Sequence, residues 1–240
     1  MQSNQIYIHQ TEVQYGTLNT RLEQNSLEKI KRIGGGLCFI IVPLVLIFVF
    51  AAHPNLKNLT PPGGNVDTWI NEFHGNTMWR IAHLAALLVS IPIMVIFLEL
   101  MGMLRDKAGW LSFVAGVMGI IGSFMLAADK GALALAPTAF DTLPTDQFQQ
   151  MRPGLEAMIQ YKGWMWMVNL YVLIFVGIAL MGIALIKAKL VPYWQSGAII
   201  LGGLLFFNPD IDLISLLASI SLAVGFIPMG ISILKGIADN

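Results

Sequence analysis

The sequence predicts an all-α polytopic membrane protein, a bundle of six transmembrane helices with both termini on the cytoplasmic side. Three observations carry this prediction. Only 12% of the 240 residues are charged and 56% are hydrophobic, against about 25% charged in an ordinary soluble domain. The apolar residues gather into runs that match a hydrocarbon core of about 30 Å, which takes about 20 helical residues. Lysine, arginine and tryptophan fall at the ends of those runs in a consistent pattern.

In chain order, residues 1–32 form a polar cytoplasmic tail. Its first 25 residues are rich in Gln, Asn and Thr and read as loosely ordered or as a docking arm. The apolar run behind it is too long and too far from the N-terminus for a typical cleaved signal peptide, so it reads as a retained span. The membrane domain is 33–235, with spans at 33–52, 78–104, 111–136, 164–186, 190–207 and 213–234. A cytoplasmic tail, 236–240, follows. The last two spans are short. They form a hairpin around Asn208-Pro209-Asp210-Ile211-Asp212, which leaves room for that turn to sit below the membrane surface.

With the N-terminus inside, nine cations fall on the cytoplasmic side: Arg21, Lys29, Lys31, Arg32, Arg105, Lys107, Lys187, Lys189 and Lys235. Four fall outside: Lys57, Arg80, Arg152 and Lys162. The positive-inside bias therefore favours this orientation. Trp69, Trp79, Trp164 and Trp166 mark the outer interface, and Trp110 and Trp194 the inner one. The outer loops are 53–77 and 137–163. The second holds two short helices, near 145–151 and 155–161, separated by Pro153-Gly154. Their apolar face would lie on the membrane surface or cap the bundle.

Helix three carries Ala115, Gly119, Ser123, Ala127 and Gly131 at every fourth position. Small residues at that spacing allow close backbone approach in lipid, here as a tight internal crossing. Cys38 is the single cysteine, which excludes an intramolecular disulfide or a cysteine-cluster metal site. Net charge is zero, so no whole-chain electrostatic case exists for nucleic acid. Gly34-Gly35-Gly36 precedes a span rather than following a strand, so it is no dinucleotide fingerprint. No catalytic triad is readable, and no soluble domain is large enough for a cytosolic catalytic module.

Ionisable groups inside spans are costly and usually face a partner or a cavity. Here they are His53, His83, Glu99 and the pair Asp129-Lys130. Asp129 and Lys130 are adjacent, so they point about 100° apart and should not face one spot. The plainer reading of Asp129 is a structural ion-pair network with Arg80, Asp210 or Asp212. The functional reading is a polar pocket open to the outside. His53 and His83 sit at the outer ends of consecutive antiparallel helices, so their rings should meet. Paired imidazoles on neighbouring spans suit haem or a transition metal. Against that, His53 gains from the dipole at a helix C-terminus, and His83 would bond the loop after His53. Asn169, on helix four, would hydrogen-bond across to helix two or three. Glu99 would pair with Arg105 or Lys107.

The sequence His53-Pro54, a Pro/Gly-rich loop, Trp79-Arg80-Ile81-Ala82-His83-Leu84 and a span ending Leu98-Glu99-Leu100 resembles a widespread group of uncharacterised bacterial six-helix membrane proteins. That group shares a His-Pro after helix one and a Trp-x-x-x-His at helix two. The close, from Leu216 to Ile227-Pro228-Met229-Gly230-Ile231, is similar to its last span. The resemblance implies the six-span fold, a bacterial inner-membrane location and His53, Trp79 and His83 as positions to test. It implies no activity.

The expected function is binding of a small ligand, ion or cofactor in an outward-facing pocket. The pocket would draw on His53, Trp79, Arg80, His83, Asp129, Lys130, Asn169, Asp210 and Asp212. One alternative is a subunit of a larger membrane complex or a homo-oligomer, with the tail and outer loops as docking surfaces. The other is an electron-transfer protein with haem or metal at His53 and His83.

Overall fold

The computed structural model describes residues 2–53, 56, 65–208 and 211–236, with side chains from Ser26 onward. The expectations placed on the N-terminal tail's side chains, on Asp210 and on Lys57 lie outside the described residues. Among those described, the chain is all helical, with no strand. Its elements are α1 (Gln2–Ala51), α2 (Val66–Phe73), α3 (Thr77–Lys130), a π-helical turn (Gly131–Leu135), α4 (Ala136–Phe140), α5 (Thr145–Gln150), α6 (Arg152–Ile159), a 3₁₀ helix (Gly163–Val172), α7 (Leu173–Ala188), α8 (Tyr193–Leu205) and α9 (Asp212–Leu234).

Four helical stretches among the described residues are long and apolar enough to cross a membrane: Ser26–Ala51, Thr77–Phe140, Gly163–Ala188 and Asp212–Leu234. The second has 64 residues and would reach roughly 96 Å if straight. It folds back instead at Ala108, whose backbone (φ −146°, ψ 35°) leaves the helical region. Gly119 meets the Phe97 ring and Gly116 meets Met101, so 77–107 and 109–130 run antiparallel. The spans expected at 78–104 and 111–136 leave Arg105-Asp106-Lys107 in a short connection between them. The turn needs no loop, because one non-helical residue reverses the chain.

The six predicted runs thus correspond to six helical limbs, but not to six separate stretches of spanning length. Runs two and three form one folded stretch. α8 has 13 residues, about 20 Å, short of a hydrocarbon core on its own.

The limbs close into a ring. α1 packs on α3 and α9, α3 on α7, α7 on α8, and α8 on α9. Glycine lets the backbones approach at these seams. A Cβ at Gly230 would lie 2.6 Å from the Gly36 carbonyl of α1, and one at Gly177 would lie 2.8 Å from the Ala115 carbonyl. The small-residue stripe on α3 therefore makes the expected internal crossing, against α7, at Ala115 and Gly119. No side chain packs within 4 Å of the Gly131 position, so the stripe's last member takes no part.

The ring has two distinct ends. At one, α1 and α9 lie together where Gly236 approaches Arg32, near the reversals at Ala108 and Lys189. This is the turn end. At the other, α2, α5 and α6 fold over the bundle. Val66, Trp69 and Phe73 pack with Trp79, Ala134, Phe148 and Leu155 in a separate apolar cluster. This is the cap end. Two short helices are present in the second outer loop as expected, and they cap the bundle. The break between them, however, falls at Met151, and Pro153-Gly154 lies in the first turn of α6, where proline is tolerated.

Trp69 and Trp79 are buried in the cap, so they cannot act as interfacial anchors as the sequence reading held. Trp164 and Trp166 at the cap end, and Trp110 and Trp194 at the turn end, are exposed. The aromatic belt rests on these four.

α7 ends at Lys189, whose φ of 53° is left-handed. Lys189→Gly is expected to stabilise the fold by about 0.5–1 kcal/mol, the relieved strain less the added unfolded-state freedom. Thermal unfolding in detergent checks this, and a lower midpoint would contradict the assigned turn.

Candidate functional site

The cap end is organised by a tight α2–α3 turn. Gly75, at φ +65°, takes a conformation that suits glycine. Asn76 then caps α3, accepting from the Trp79 N–H at 3.1 Å and donating to the Glu72 carbonyl at 3.0 Å. This fixes the first turn of α3 and hence Trp79 and His83. One turn on, the His83 Nδ1–H donates to the Trp79 carbonyl at 2.9 Å. The His83 ring stacks on the Trp79 indole, with centroids 3.8 Å apart and planes at 27°.

Inside the ring runs a cavity of about 480 Å³, within the 300–1,000 Å³ typical of ligand pockets. Its deep part is apolar, walled by Phe97, Leu100, Met181, Leu222 and Phe226. Its cap end is polar. There His53, His83, Asp129, Lys130, Asn169 and Asp212 line it, and α2 contributes Thr68 and Glu72 at the mouth.

Two pairs dominate the polar end. His53 ends α1 and Asp212 begins α9, and Nδ1 lies 2.7 Å from Oδ2. The two atoms are close without an aligned hydrogen bond. A carboxylate suits the N-terminus of α9, where the helix dipole favours an acceptor. The second pair is Asp129 with Lys130, at 2.9 Å. This corrects the sequence reading: the backbones of adjacent residues do diverge, but the long lysine stem curls back, and both side chains line the one cavity. It also replaces the expected Asp129 network with Arg80 or Asp212.

Irregular helix surrounds these groups. Directly after Lys130 the chain makes a π turn, closed by the Ala136 N–H on the Gly131 carbonyl. Across the pocket, Asn169 and Tyr171 sit on a 3₁₀ helix of ten residues. Runs of 3₁₀ beyond three or four residues are uncommon, and π turns occur frequently at functional sites.

The structure gathers His53, Trp79, His83, Asp129, Lys130, Asn169 and Asp212 around one cavity. The expected meeting of the two histidines occurs, with ring centroids 5.6 Å apart. His83, however, bonds its own helix rather than the loop after His53. Arg80 does not line the cavity. It pairs with Asp141, a residue the sequence reading missed. Glu99 packs on Gly35 of α1, with Lys31 as the cation acting on it, in place of Arg105 or Lys107.

Asp141 fastens the cap. Its carboxylate is buried, takes the Gly75 N–H at 3.1 Å, and pairs with His74 and Arg80. Burial pushes this carboxyl up. The Gly75 N–H, the His74 ring and the Arg80 guanidinium outweigh burial and hold it below the usual carboxylate range. A second tie joins Arg152 of α6 to Asp67 of α2 at 2.6 Å. Nothing in the sequence near Asp141 marks it, because its partners lie more than sixty residues away.

The fold and site define a class: a helical bundle of membrane-spanning composition with an axial pocket, polar at one end and apolar at the other. Compared with protein-family models, curated proteins and solved structures, the chain matches none.

Proposed function

We propose that the chain is a six-span integral membrane protein, with both termini in the cytoplasm, that binds a small ligand in a pocket opening outward through the cap. One observation carries the reading: a single axial cavity gathers the polar groups near the cap and ends on apolar side chains. Buried ionisable groups around a cavity are the usual mark of function inside a membrane. The orientation rests on the cations of the turn end, Arg32, Arg105, Lys107, Lys187, Lys189 and Lys235. The six-span count rests on the ring, in which the short α8 is one limb, packed between α7 and α9. Single cysteines in a Cys38→Ala background test the topology. An impermeant maleimide applied to intact cells should label Lys162→Cys and leave Lys187→Cys unlabelled. The reverse pattern would invert the protein.

A second reading has one observation in its favour. The Nδ1 atom of His83 is engaged by a carbonyl, and that of His53 lies 2.7 Å from the Asp212 carboxylate. A group held against one ring nitrogen orients the imidazole so that Nε2 can bind a metal. Among the described residues no third His, Cys, Asp or Glu completes a metal set, so the site would be a two-imidazole one. An absorption spectrum and metal analysis of the purified protein test it. A colourless, metal-free preparation removes it.

A further inference from the structure

We infer that the pocket takes an uncharged amphiphile, with a flat hydrogen-bonding ring as head and a hydrocarbon tail, the chemistry of a quinone or phenolic lipid. The inference rests on the pocket reading above and names its ligand class.

Charge excludes an anionic head. Lys130, the one lysine or arginine that lines the pocket among the described residues, is already matched by Asp129, and the His53 ring faces Asp212. An anion entering here would lose hydration with no free counter-charge to meet it.

Hydrogen-bonding capacity asks for a neutral polar head. Trp79 lines the pocket at only 2% exposure, and its indole N–H is buried without a partner. An unpaired buried donor is costly, and a carbonyl or hydroxyl oxygen would relieve it. The His83 Nδ1–H is spent on the Trp79 carbonyl. That tautomer leaves Nε2 as an acceptor for a hydroxyl. The Trp79 and His83 rings are stacked and parallel to within 27°, which gives a flat head an aromatic wall. Below them Phe97, Phe175, Phe206 and Phe226 line an apolar channel for the tail.

The test is thermal unfolding of the protein in lipid nanodiscs with three amphiphiles of matched tail length: decylubiquinone, decanoate and decyltrimethylammonium. Decylubiquinone should raise the midpoint saturably, as a ligand of the native state does. The two ions should not. Trp79→Phe keeps the ring and removes the N–H, so it should bind decylubiquinone about fivefold to tenfold more weakly, the worth of one hydrogen bond. His83→Gln should weaken binding in the same direction. No shift with decylubiquinone, an equal or larger shift with either ion, or unchanged affinity in both variants would overturn the inference. Cysteine accessibility of the pocket needs no ligand. An accessible pocket with no decylubiquinone shift rejects this ligand class alone, and an inaccessible pocket rejects both readings.

Discussion

Gly177→Ala is expected to destabilise the bundle by about 3 kcal/mol, the upper part of the usual range for overpacking. The added Cβ would lie 2.8 Å from the Ala115 carbonyl, 3.1 Å from the Gly119 nitrogen and 3.1 Å from the Phe97 ring. Two of these are backbone atoms on one limb of α3, and the ring belongs to the other limb. No rotamer change can clear them, so α7 must move away from both limbs. Gly102→Ala is the control, because nothing lies within 4 Å of its Cβ position. It should be neutral, or stabilising by up to about 1 kcal/mol through helix propensity. Thermal unfolding of both variants in one detergent makes the comparison. Equal midpoints would mean that α3 and α7 do not meet at this seam.

Asp141→Asn should cost about 2 kcal/mol at neutral pH. It takes a buried carboxylate away from the Arg80 guanidinium and the His74 ring, both of which are partly hydrated already. The loss is therefore smaller than for a fully buried pair. The folded carboxyl is held below its ordinary value. Its stabilising contribution is thus fully present above the unfolded carboxyl pKa of about 4. It is lost as pH falls through that value towards the lower folded one. The wild-type midpoint should drop across that acid window, and the Asp141→Asn midpoint should drop less. Parallel acid profiles would show that some other carboxylate controls the cap.

The helical limbs were legible in the sequence because lipid imposes one rule, a long apolar run per crossing. The ends of the limbs were less so. Ala108 reverses the chain without a Gly-Pro signal, and α8 is shorter than its apolar run because Leu190 and Val191 belong to the turn that follows Lys189. Much of the pocket was legible for a related reason, since His53, His83, Asp129 and Lys130 stand out against an apolar background. What sequence could not supply was side-chain reach. Lys130 folds back on its neighbour, and Arg80, at the correct end of the bundle, turns away to Asp141. Trp69 and Trp79 have the sequence position of membrane anchors, yet the cap folds over them.

The outward-opening axial pocket is tested most directly by a cysteine at Ala86. This small residue lines the cavity one turn beyond His83 and is almost fully buried. In a Cys38→Ala background, a small impermeant cationic thiosulfonate applied to intact cells should modify Ala86→Cys. Thr68→Cys at the mouth should react faster, and Ala184→Cys, buried in the helix packing away from the cavity, should not react. Modification of Thr68→Cys with no modification of Ala86→Cys would contradict an open pocket.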